Sequence, residues 1–129
     1  MKVLTVLVPT YNVEKYLRRC LDSLLLPEVL EEIEVLVVND GSKDGSADIA
    51  RAYEKKYPQT VVFVDKENGG HGSTINVGIE KAQGTYFKVL DSDDWVNIGD
   101  FIEFVKRLKE ETADAVICDY RKEQDRKSV

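Results

Sequence analysis

An alternation of short apolar runs with amphipathic stretches, which begins almost at the first residue, constrains the fold of this chain more than any other feature. Five runs have the length and the β-branched content of buried strands, and the stretches between them repeat apolar residues at helical spacing. The predicted strands are residues 2–8, 33–39, 61–64, 86–90 and 115–118. Strands that alternate with crossover helices form parallel sheets. The sequence therefore predicts an α/β fold with a mainly parallel sheet and helices on both faces.

Polar side chains that can cap helices mark where the predicted helices begin. Helices are predicted after Asn12, over residues 47–57 with Ser46 as the cap, from Ser73 or Thr74 to residue 82, and after Asp100. Each predicted strand except the last is thus followed by one predicted helix.

Charge and hydrophobic patterning narrow the classes of function. The 129 residues carry a net charge of −6 and no basic stripe before the last ten residues, so no nucleic acid is expected as a partner. No apolar run approaches the ~18 residues of a membrane-spanning helix, and residues 1–9 lack the long apolar core of a signal peptide. These features predict a cytoplasmic protein, whose membrane association would depend on segments absent from this chain.

Cysteine usage gives no sign of a zinc site or a disulfide. Cys20 and Cys118 are far apart in the sequence and lack the spacing of metal ligands. Free cysteine behaves as a small hydrophobe, so both are expected to pack in the core.

Four polar clusters follow four of the predicted strands directly. They are Pro9–Asn12, Asn39–Ser46, Asp65–Gly72 and Asp91–Asp94. In open parallel sheets, ligands bind beyond the carboxyl ends of the strands. The clusters are therefore expected to form one site at one edge of the sheet.

The fourth cluster, Asp91-Ser92-Asp93-Asp94, places three carboxylates within four residues. Like charges at this density repel each other unless a cation neutralises them. Magnesium-type cations are held by one or two carboxylates together with substrate phosphates. The alternative is a solvated turn in which an aspartate caps a helix. The apolar strand before the cluster and the other clusters at the same edge favour the metal site.

The other clusters carry weaker signals. Asp40 follows the second strand and could accept a hydrogen bond from a ligand ring N–H, or stabilise its own loop as an Asx turn. Asn68-Gly69-Gly70 would let the backbone approach a ligand closely, or serve only as a connector. His71, the single histidine, is more typical of an incidental loop residue than of a catalytic one.

Taken together, the motifs at the strand ends resemble the successive signatures of family 2 glycosyltransferases. The matching segments are Pro9–Asn12, Val38–Ser46, Glu67–Gly70 with Asn76 and Gly78, and Leu90–Asp94, in order within residues 3–119. The resemblance implies a GT-A fold, in which residues 1–120 are the nucleotide-sugar-binding half. Residues 121–129 would be a charged tail or the start of a missing acceptor half, so the chain is expected to be a fragment.

The resemblance also implies roles for individual residues. Asp40 would hold the base, most often uracil, and Asp91 and Asp93 would form the DxD pair that binds Mn²⁺ or Mg²⁺. Asp93 would be the more direct metal ligand, and Asp91 would lie nearer the ribose or sugar. The implied nucleotide-binding residues are Pro9, Thr10, Tyr11, Glu14, Asp40, Asn68, Asp91 and Ser92, and the implied metal ligands are Asp91 and Asp93.

One position departs from the pattern of the family. Its members often carry an arginine directly before the asparagine that aligns with Asn76, and here Ile75 stands at that position. An expected contact to nucleotide or phosphate is therefore missing. The candidates to replace it are His71, Ser73 and Thr74.

The implied reaction is inverting transfer of a hexosyl or N-acetylhexosaminyl group from a nucleotide-diphospho-sugar to a saccharide or lipid-linked acceptor. No further organised carboxylate motif follows Asp93, so the catalytic base is expected outside this chain. The chain alone would bind the donor and transfer weakly or not at all. Many bacterial relatives build cell-surface polysaccharides at the cytoplasmic face of the membrane.

Two alternative functions stay open. A nucleotidyltransferase can share a similar sheet and also uses acidic residues with a metal, although it usually has a basic, glycine-rich N-terminal loop, which Pro9–Asn12 is not. A non-catalytic nucleotide-binding domain would keep the fold without the chemistry. Ile75 mildly favours that second alternative, and the intact pair of Asp91 and Asp93 argues against it.

Overall fold

The structure, a computed structural model of the 129-residue chain, describes residues 2–110. Within them strands alternate with helices, as the spacing of apolar residues predicts. The elements are β1 (Leu4–Thr10), α1 (Leu17–Leu24), β2 (Ile33–Asp40), α2 (Ser46–Lys56), β3 (Val61–Lys66), α3 (His71–Lys81), β4 (Tyr86–Val89) and α4 (Ile98–Glu110). None of these helices has the length and apolar character needed to cross a membrane. The predicted strand at 115–118, Cys118 and the predicted tail at 121–129 lie outside the described residues.

The four strands form one parallel sheet with the order β3-β2-β1-β4, which confirms the predicted parallel sheet. β1 pairs with β2 from Leu4 opposite Ile33 to Thr10 opposite Asn39, and on its other side with β4. Because β1 and β2 lie inside the sheet and are covered on both faces, their apolar runs are continuous rather than alternating.

Helices cover both faces of the sheet, as predicted. On one face, α1, α2 and α4 build the larger core, to which Leu21, Phe101 and Val35 belong. On the other face, α3 packs through Ile75 on a smaller core that includes Leu36. Successive residues of a strand point to opposite faces, which is why Val35 and Leu36 lie in different cores.

The predicted starts of the helices are wrong by one to several residues. The cause is clearest at Asn12, which was expected to cap the first helix, whereas α1 begins at Leu17. Asn12 has a left-handed backbone (φ 51°), and its side-chain oxygen accepts the N–H of Lys43 at 2.8 Å. Asn12 therefore stabilises a neighbouring turn instead of capping a helix, and the i→i−4 bonding that leads into α1 starts with the Leu17 N–H and the Val13 carbonyl.

The other three helix starts shift for similarly local reasons. α2 begins at Ser46 itself, whose hydroxyl donates to Asp44 at 2.6 Å instead of capping. α3 begins at His71, directly after Gly70, whose positive φ of 91° ends the preceding loop. α4 begins at Ile98, and the side chain of Asn97, not Asp100, accepts a backbone N–H at its start.

The carboxyl ends of the strands lie at one edge of the sheet. Thr10, Asp40 and Lys66 are the last residues of β1, β2 and β3. β1 runs through Pro9 to Thr10 and so reaches farther toward this edge than the predicted end at Val8. The loops that follow the strands therefore meet at one surface.

Close packing at Gly84 gives a test of the register between β1 and the start of β4. A Cβ at Gly84 would lie 2.5 Å from the backbone nitrogen of Thr5 and 2.7 Å from the carbonyl carbon of Leu4. Because backbone atoms of a central strand cannot move aside, we expect Gly84→Ala to lower the free energy of unfolding by about 2 kcal/mol or more. Urea unfolding measures this change.

Gly72→Ala is the matched control, since a Cβ at Gly72 meets nothing within 4 Å. Alanine is a better helix former than glycine by up to ~1 kcal/mol, so this variant should be at least as stable as the wild type. Equal urea midpoints for the two variants would contradict the packing of Gly84 against β1.

Candidate functional site

The segment that follows β1 is tied to the turn that follows β2 by hydrogen bonds in both directions. Three side chains of the turn accept the backbone N–H groups of residues 12–14; they are Ser42, Ser46 and Asp44, at 3.0, 3.0 and 3.1 Å. In the opposite direction, the carboxylate of Glu14 accepts the N–H of Gly45 at 2.8 Å. These bonds fix the backbone beside Tyr11, whose side chain is 49% exposed at the edge of the sheet.

Asp40, the last residue of β2, anchors the loop between β3 and α3. Its carboxylate accepts hydrogen bonds from Lys66 Nζ at 2.7 Å and from the N–H groups of Gly69 and Gly70 at 2.8 and 3.1 Å. The side-chain amide of Asn68 donates to the Asp40 carbonyl at 3.1 Å. Asp40 is only 6% exposed, so the loop is folded around a buried carboxylate.

The same contacts keep Asp40 ionised. Burial by itself would raise the pKa of Asp40, but the hydrogen bonds from Lys66, Gly69 and Gly70 and the charge of Lys66 outweigh it and hold the pKa below its ordinary value. Oδ1 accepts two of these hydrogen bonds, whereas Oδ2 accepts one. Since each carboxylate oxygen has about two acceptor positions, Oδ2 can accept one further N–H from a ligand.

The acidic turn, Asp91–Asp94, follows β4 and brings three carboxylates together. The N–H of Asp94 donates to the Asp91 carbonyl at 2.9 Å and closes the turn. One oxygen each from Asp91, Asp93 and Asp94 lies within 4.8 Å of the others. Oxygen ligands at this spacing suit a hard divalent cation such as Mg²⁺ or Mn²⁺, so the side chains present fit the predicted metal site.

Cys20 of α1 lies against the acidic turn. Its Sγ is 3.8 Å from the carbonyl oxygen of Asp91, and the residue is fully buried. Burial, aided by the negative charges of Asp94, Asp93 and Asp91, raises the pKa of the Cys20 thiol far above its ordinary value. The thiol therefore stays protonated and packs in the core, as predicted for this cysteine.

A cavity of about 560 Å³ opens where the loops after the four strands meet. Its lining residues are Pro9, Thr10, Tyr11, Val13, Asp40, Asn68, Gly70, His71, Thr74, Asp91, Ser92 and Asp93. The lining includes three carboxylates, and among the described residues it includes no lysine or arginine. An anionic group that binds here therefore needs compensation from a cation, from His71 or from backbone N–H groups.

Most of the residues that the sequence analysis selected come together in this cavity. Pro9, Thr10, Tyr11, Asp40, Asn68, Asp91 and Ser92 line it, and so do both predicted metal ligands, Asp91 and Asp93. Glu14 does not line it, because its carboxylate is directed to the N–H of Gly45 on the neighbouring turn. The binding roles of these residues stay predictions.

Lys66 was missed as a contributor to the site, and Asp94 was predicted in the acidic cluster but not as a metal ligand. Lys66 pairs with Asp40 from the next strand at 2.7 Å, but a lysine at a strand end has many possible partners and carries no signal for this one. Asp94 joins the carboxylate cluster of Asp91 and Asp93. The sequence did signal Asp94, as the third carboxylate within four residues, but the DxD pattern drew attention to the other two.

The fold and the site together define the class of protein. The parallel α/β fold is shared with solved GT-A glycosyltransferases. Residues 5–128 match the family model described as glycosyl transferase family 2, and the chain belongs to this family. This confirms the predicted family and fold and leaves the nucleotidyltransferase alternative without support.

Individual relatives match most of this chain in sequence or in structure. Glycosyltransferase GlyA of Streptococcus pneumoniae serotype 4 is 38% identical over 118 residues, which are 91% of this chain and 16% of GlyA. S. aureus TarS 1–349 in complex with UDP-GlcNAc superposes with a TM-score of 0.68 at 35% identity, over 83% of this chain and 32% of that one. The mannosyltransferase PcManGT from Pyrobaculum calidifontis, in complex with GDP-Man and Mn²⁺, gives 0.71 at 26% identity, over 80% and 31%. The chain thus spans about a third or less of each of these proteins.

The ion pair of Lys66 and Asp40 should stabilise the fold in a pH-dependent way. Lys66→Met leaves a buried carboxylate without its counter-charge, so we expect the free energy of unfolding at neutral pH to fall by about 2 kcal/mol. The stability that ionised Asp40 contributes is complete above its ordinary pKa of 3.8 and is lost as the pH falls through the lower pKa of the folded state. Lys66→Met raises that folded-state pKa, so the deficit should be largest at neutral pH and shrink as the pH falls below 3.8.

Urea unfolding at neutral pH and near pH 3 measures the deficit. Lys55→Met, which removes an exposed lysine from α2, controls for the loss of one positive charge and should change little at either pH. If the deficit of Lys66→Met stays the same at both pH values, ionisation of Asp40 is not its cause.

Proposed function

We propose that this chain binds a nucleotide-diphospho-sugar, specifically a UDP-sugar, with Mn²⁺ or Mg²⁺ at Asp91 and Asp93, as the donor half of an inverting glycosyltransferase. One observation carries the proposal: a single cavity of about 560 Å³ is lined both by Asp40 and by the acidic turn. Small-molecule sites commonly have volumes of ~300–1,000 Å³. A nucleotide-diphospho-sugar suits this cavity, because its base can hydrogen-bond to Asp40 and its diphosphate can share a cation with the acidic turn.

The base end of the proposed site depends on Asp40. An ionised carboxylate only accepts hydrogen bonds, and Oδ2 has one acceptor position left. It would therefore accept the ring N–H of uracil or guanine, whereas adenine and cytosine offer it only an exocyclic amino group. Tyr11 also lines the cavity and is 49% exposed, so its ring is available to stack on a base.

The diphosphate end requires a cation, since the lining places carboxylates where the phosphates would lie. Asp91 and Asp93 would hold the ion, and Asp94 lies close enough to accept hydrogen bonds from its water ligands. Bound there, the ion would supply Lewis-acid neutralisation of the diphosphate charge. Ser92 lines the same cavity and is 5% exposed, and its hydroxyl would complete the polar contacts.

The comparisons support UDP rather than GDP as the nucleotide. TarS, whose structure contains UDP-GlcNAc, is 35% identical to this chain, whereas PcManGT, whose structure contains GDP-Man and Mn²⁺, is 26% identical. Both likenesses support a nucleotide-diphospho-sugar, and the second supports a divalent cation. The intact carboxylate cluster argues against the alternative of a non-catalytic nucleotide-binding domain.

For the full-length protein we propose transfer of a hexosyl or N-acetylhexosaminyl group with inversion, to a saccharide or lipid-linked acceptor at the cytoplasmic face of the membrane. A base outside this chain would take the proton of the acceptor hydroxyl, which contributes ~10²–10⁴-fold to such reactions. This chain would supply the donor site: Asp40 orients the base, and the acidic turn holds the metal for the diphosphate.

Calorimetric titration of UDP into the chain, with and without Mn²⁺, tests the donor site. We expect binding in Mn²⁺ and none in EDTA, because the acidic cavity repels an uncompensated diphosphate. Asp93→Ala should weaken binding in Mn²⁺ about tenfold or more, which corresponds to ~1.4 kcal/mol.

Asp100→Ala is the matched control, since it removes one exposed carboxylate from α4 outside the cavity. It should bind UDP like the wild type. Binding that is unchanged by EDTA and by Asp93→Ala would contradict the metal part of the proposal, and a folded chain that binds no nucleotide would contradict the donor site.

His71 is the residue we expect to replace the missing arginine contact to the diphosphate. It is the single lining side chain, among the described residues, that can carry a positive charge. Ile75 packs against the smaller core, and Ser73 does not line the cavity. We expect His71→Ala to weaken UDP binding about three- to tenfold, the effect of losing one hydrogen bond of ~1 kcal/mol, and to leave uridine binding unchanged.

Ser73→Ala is the control for this prediction, because it changes a neighbouring residue of α3 outside the cavity lining. It should leave the affinities for both UDP and uridine unchanged. A His71→Ala variant that loses uridine and UDP affinity equally would mean that His71 supports the loop and does not contact phosphate.

A further inference from the structure

The acidic turn belongs to a stretch without regular structure, between the end of β4 at Val89 and the start of α4 at Ile98. Its three carboxylates repel one another, and one backbone hydrogen bond closes the turn. An arrangement of this kind needs support from outside if the carboxylates are to stay together before a cation binds. The contacts that this stretch makes with the rest of the chain therefore decide its geometry.

Helix α1 provides contacts to this stretch at successive points. Cys20 Sγ lies 3.8 Å from the Asp91 carbonyl oxygen, and Arg19 Nη2 lies 3.5 Å from the Asp93 carbonyl oxygen. Both distances are long, so each bond is weak. The guanidinium of Arg19 also stacks over the ring of Trp95, 3.9 Å from its centroid.

Ser23 makes a shorter contact between α1 and this stretch than Arg19 or Cys20 does. Its hydroxyl donates to the Cys20 carbonyl at 2.7 Å and accepts the N–H of Val96 at 3.1 Å. Ser23 and Val96 are 8% and 2% exposed, so water does not compete for these bonds. At the other end of the stretch, the N–H of Leu90 donates to the Leu7 carbonyl of β1 at 2.9 Å.

We infer that Ser23 is a positioning residue for the metal site: its hydroxyl fixes Val96, two residues beyond the acidic turn, to α1 and so keeps the three carboxylates together. The β1 contact of Leu90 fixes one end of the stretch, and Ser23 fixes the other. Without the hydroxyl, the buried N–H of Val96 loses its partner, and the stretch must shift to satisfy it. The shift spreads the carboxylates. This role rests on the proposed metal site and concerns a residue that does not touch the ion.

The test measures Mn²⁺ affinity directly, by the loss of the EPR signal of free Mn²⁺ when it is titrated with the 129-residue chain at a fixed UDP concentration. Removal of residues that orient metal ligands typically weakens metal binding ~10–100-fold, so we expect Ser23→Ala to bind Mn²⁺ at least about tenfold more weakly. Trp95 is the single tryptophan and lies next to Asp94, so Mn²⁺ quenching of its fluorescence gives a second readout. Affinity for uridine, which needs no metal, should not change.

Two further variants separate positioning from general loss of stability. Thr60→Val also removes a buried hydroxyl, which donates to the Leu30 carbonyl at 2.9 Å near the start of β3, and it should bind Mn²⁺ like the wild type. Ser23→Thr keeps the hydroxyl and should stay within about twofold of wild-type Mn²⁺ affinity, since the bond of ~1 kcal/mol is retained.

The results that would contradict these expectations distinguish the role of Ser23 from the metal site itself. Wild-type Mn²⁺ affinity in Ser23→Ala would overturn the role of Ser23, and so would an equal loss in Thr60→Val or in Ser23→Thr. A wild-type chain that binds no Mn²⁺ at all would instead overturn the metal part of the proposed function.

Discussion

Parallel pairing of β1 with β2 on one side and with β4 on the other is the constraint on which the site depends. It places Thr10, Asp40 and the residues after Val89 at the same edge of the sheet, although they are far apart in the sequence. No single loop carries the site. The apolar residues of the strands, which fill two cores, thus determine where the polar residues meet, and the polar clusters need only follow the strands directly.

Negative charge at this edge of the sheet has to be balanced, and it is balanced differently at Asp40 and at the acidic turn. Asp40 is compensated within the protein, by Lys66 and two backbone N–H groups, so it is a fixed acceptor. The acidic turn instead brings three carboxylates within 4.8 Å of one another, and their mutual repulsion favours a cation. The first arrangement suits hydrogen bonding to a base, and the second suits a metal that a diphosphate shares. The cavity can therefore recognise a ligand with both features.

The sequence predicts the framework of this site better than its details. Strands were predictable because β1 and β2 are buried on both faces and must be apolar throughout, and the position of the clusters at strand ends follows from the parallel sheet. Helix starts were not predictable, because Asn12 bonds to the turn at Lys43 across 31 residues, and such a partner carries no local signal. The same holds for Lys66 with Asp40 and for Ser23 with Val96. Pairing of polar side chains between elements depends on the packing that brings the elements together.

The most direct test of the account is a crystal structure of the chain with UDP and Mn²⁺, with anomalous diffraction recorded at the manganese edge. We predict one strong anomalous peak in contact with the carboxylate of Asp93, with the diphosphate on the same ion and the uracil N–H on Asp40 Oδ2. A nucleotide that lies outside the cavity, or a manganese peak away from the acidic turn, would contradict the claim that the strand ends form one donor site.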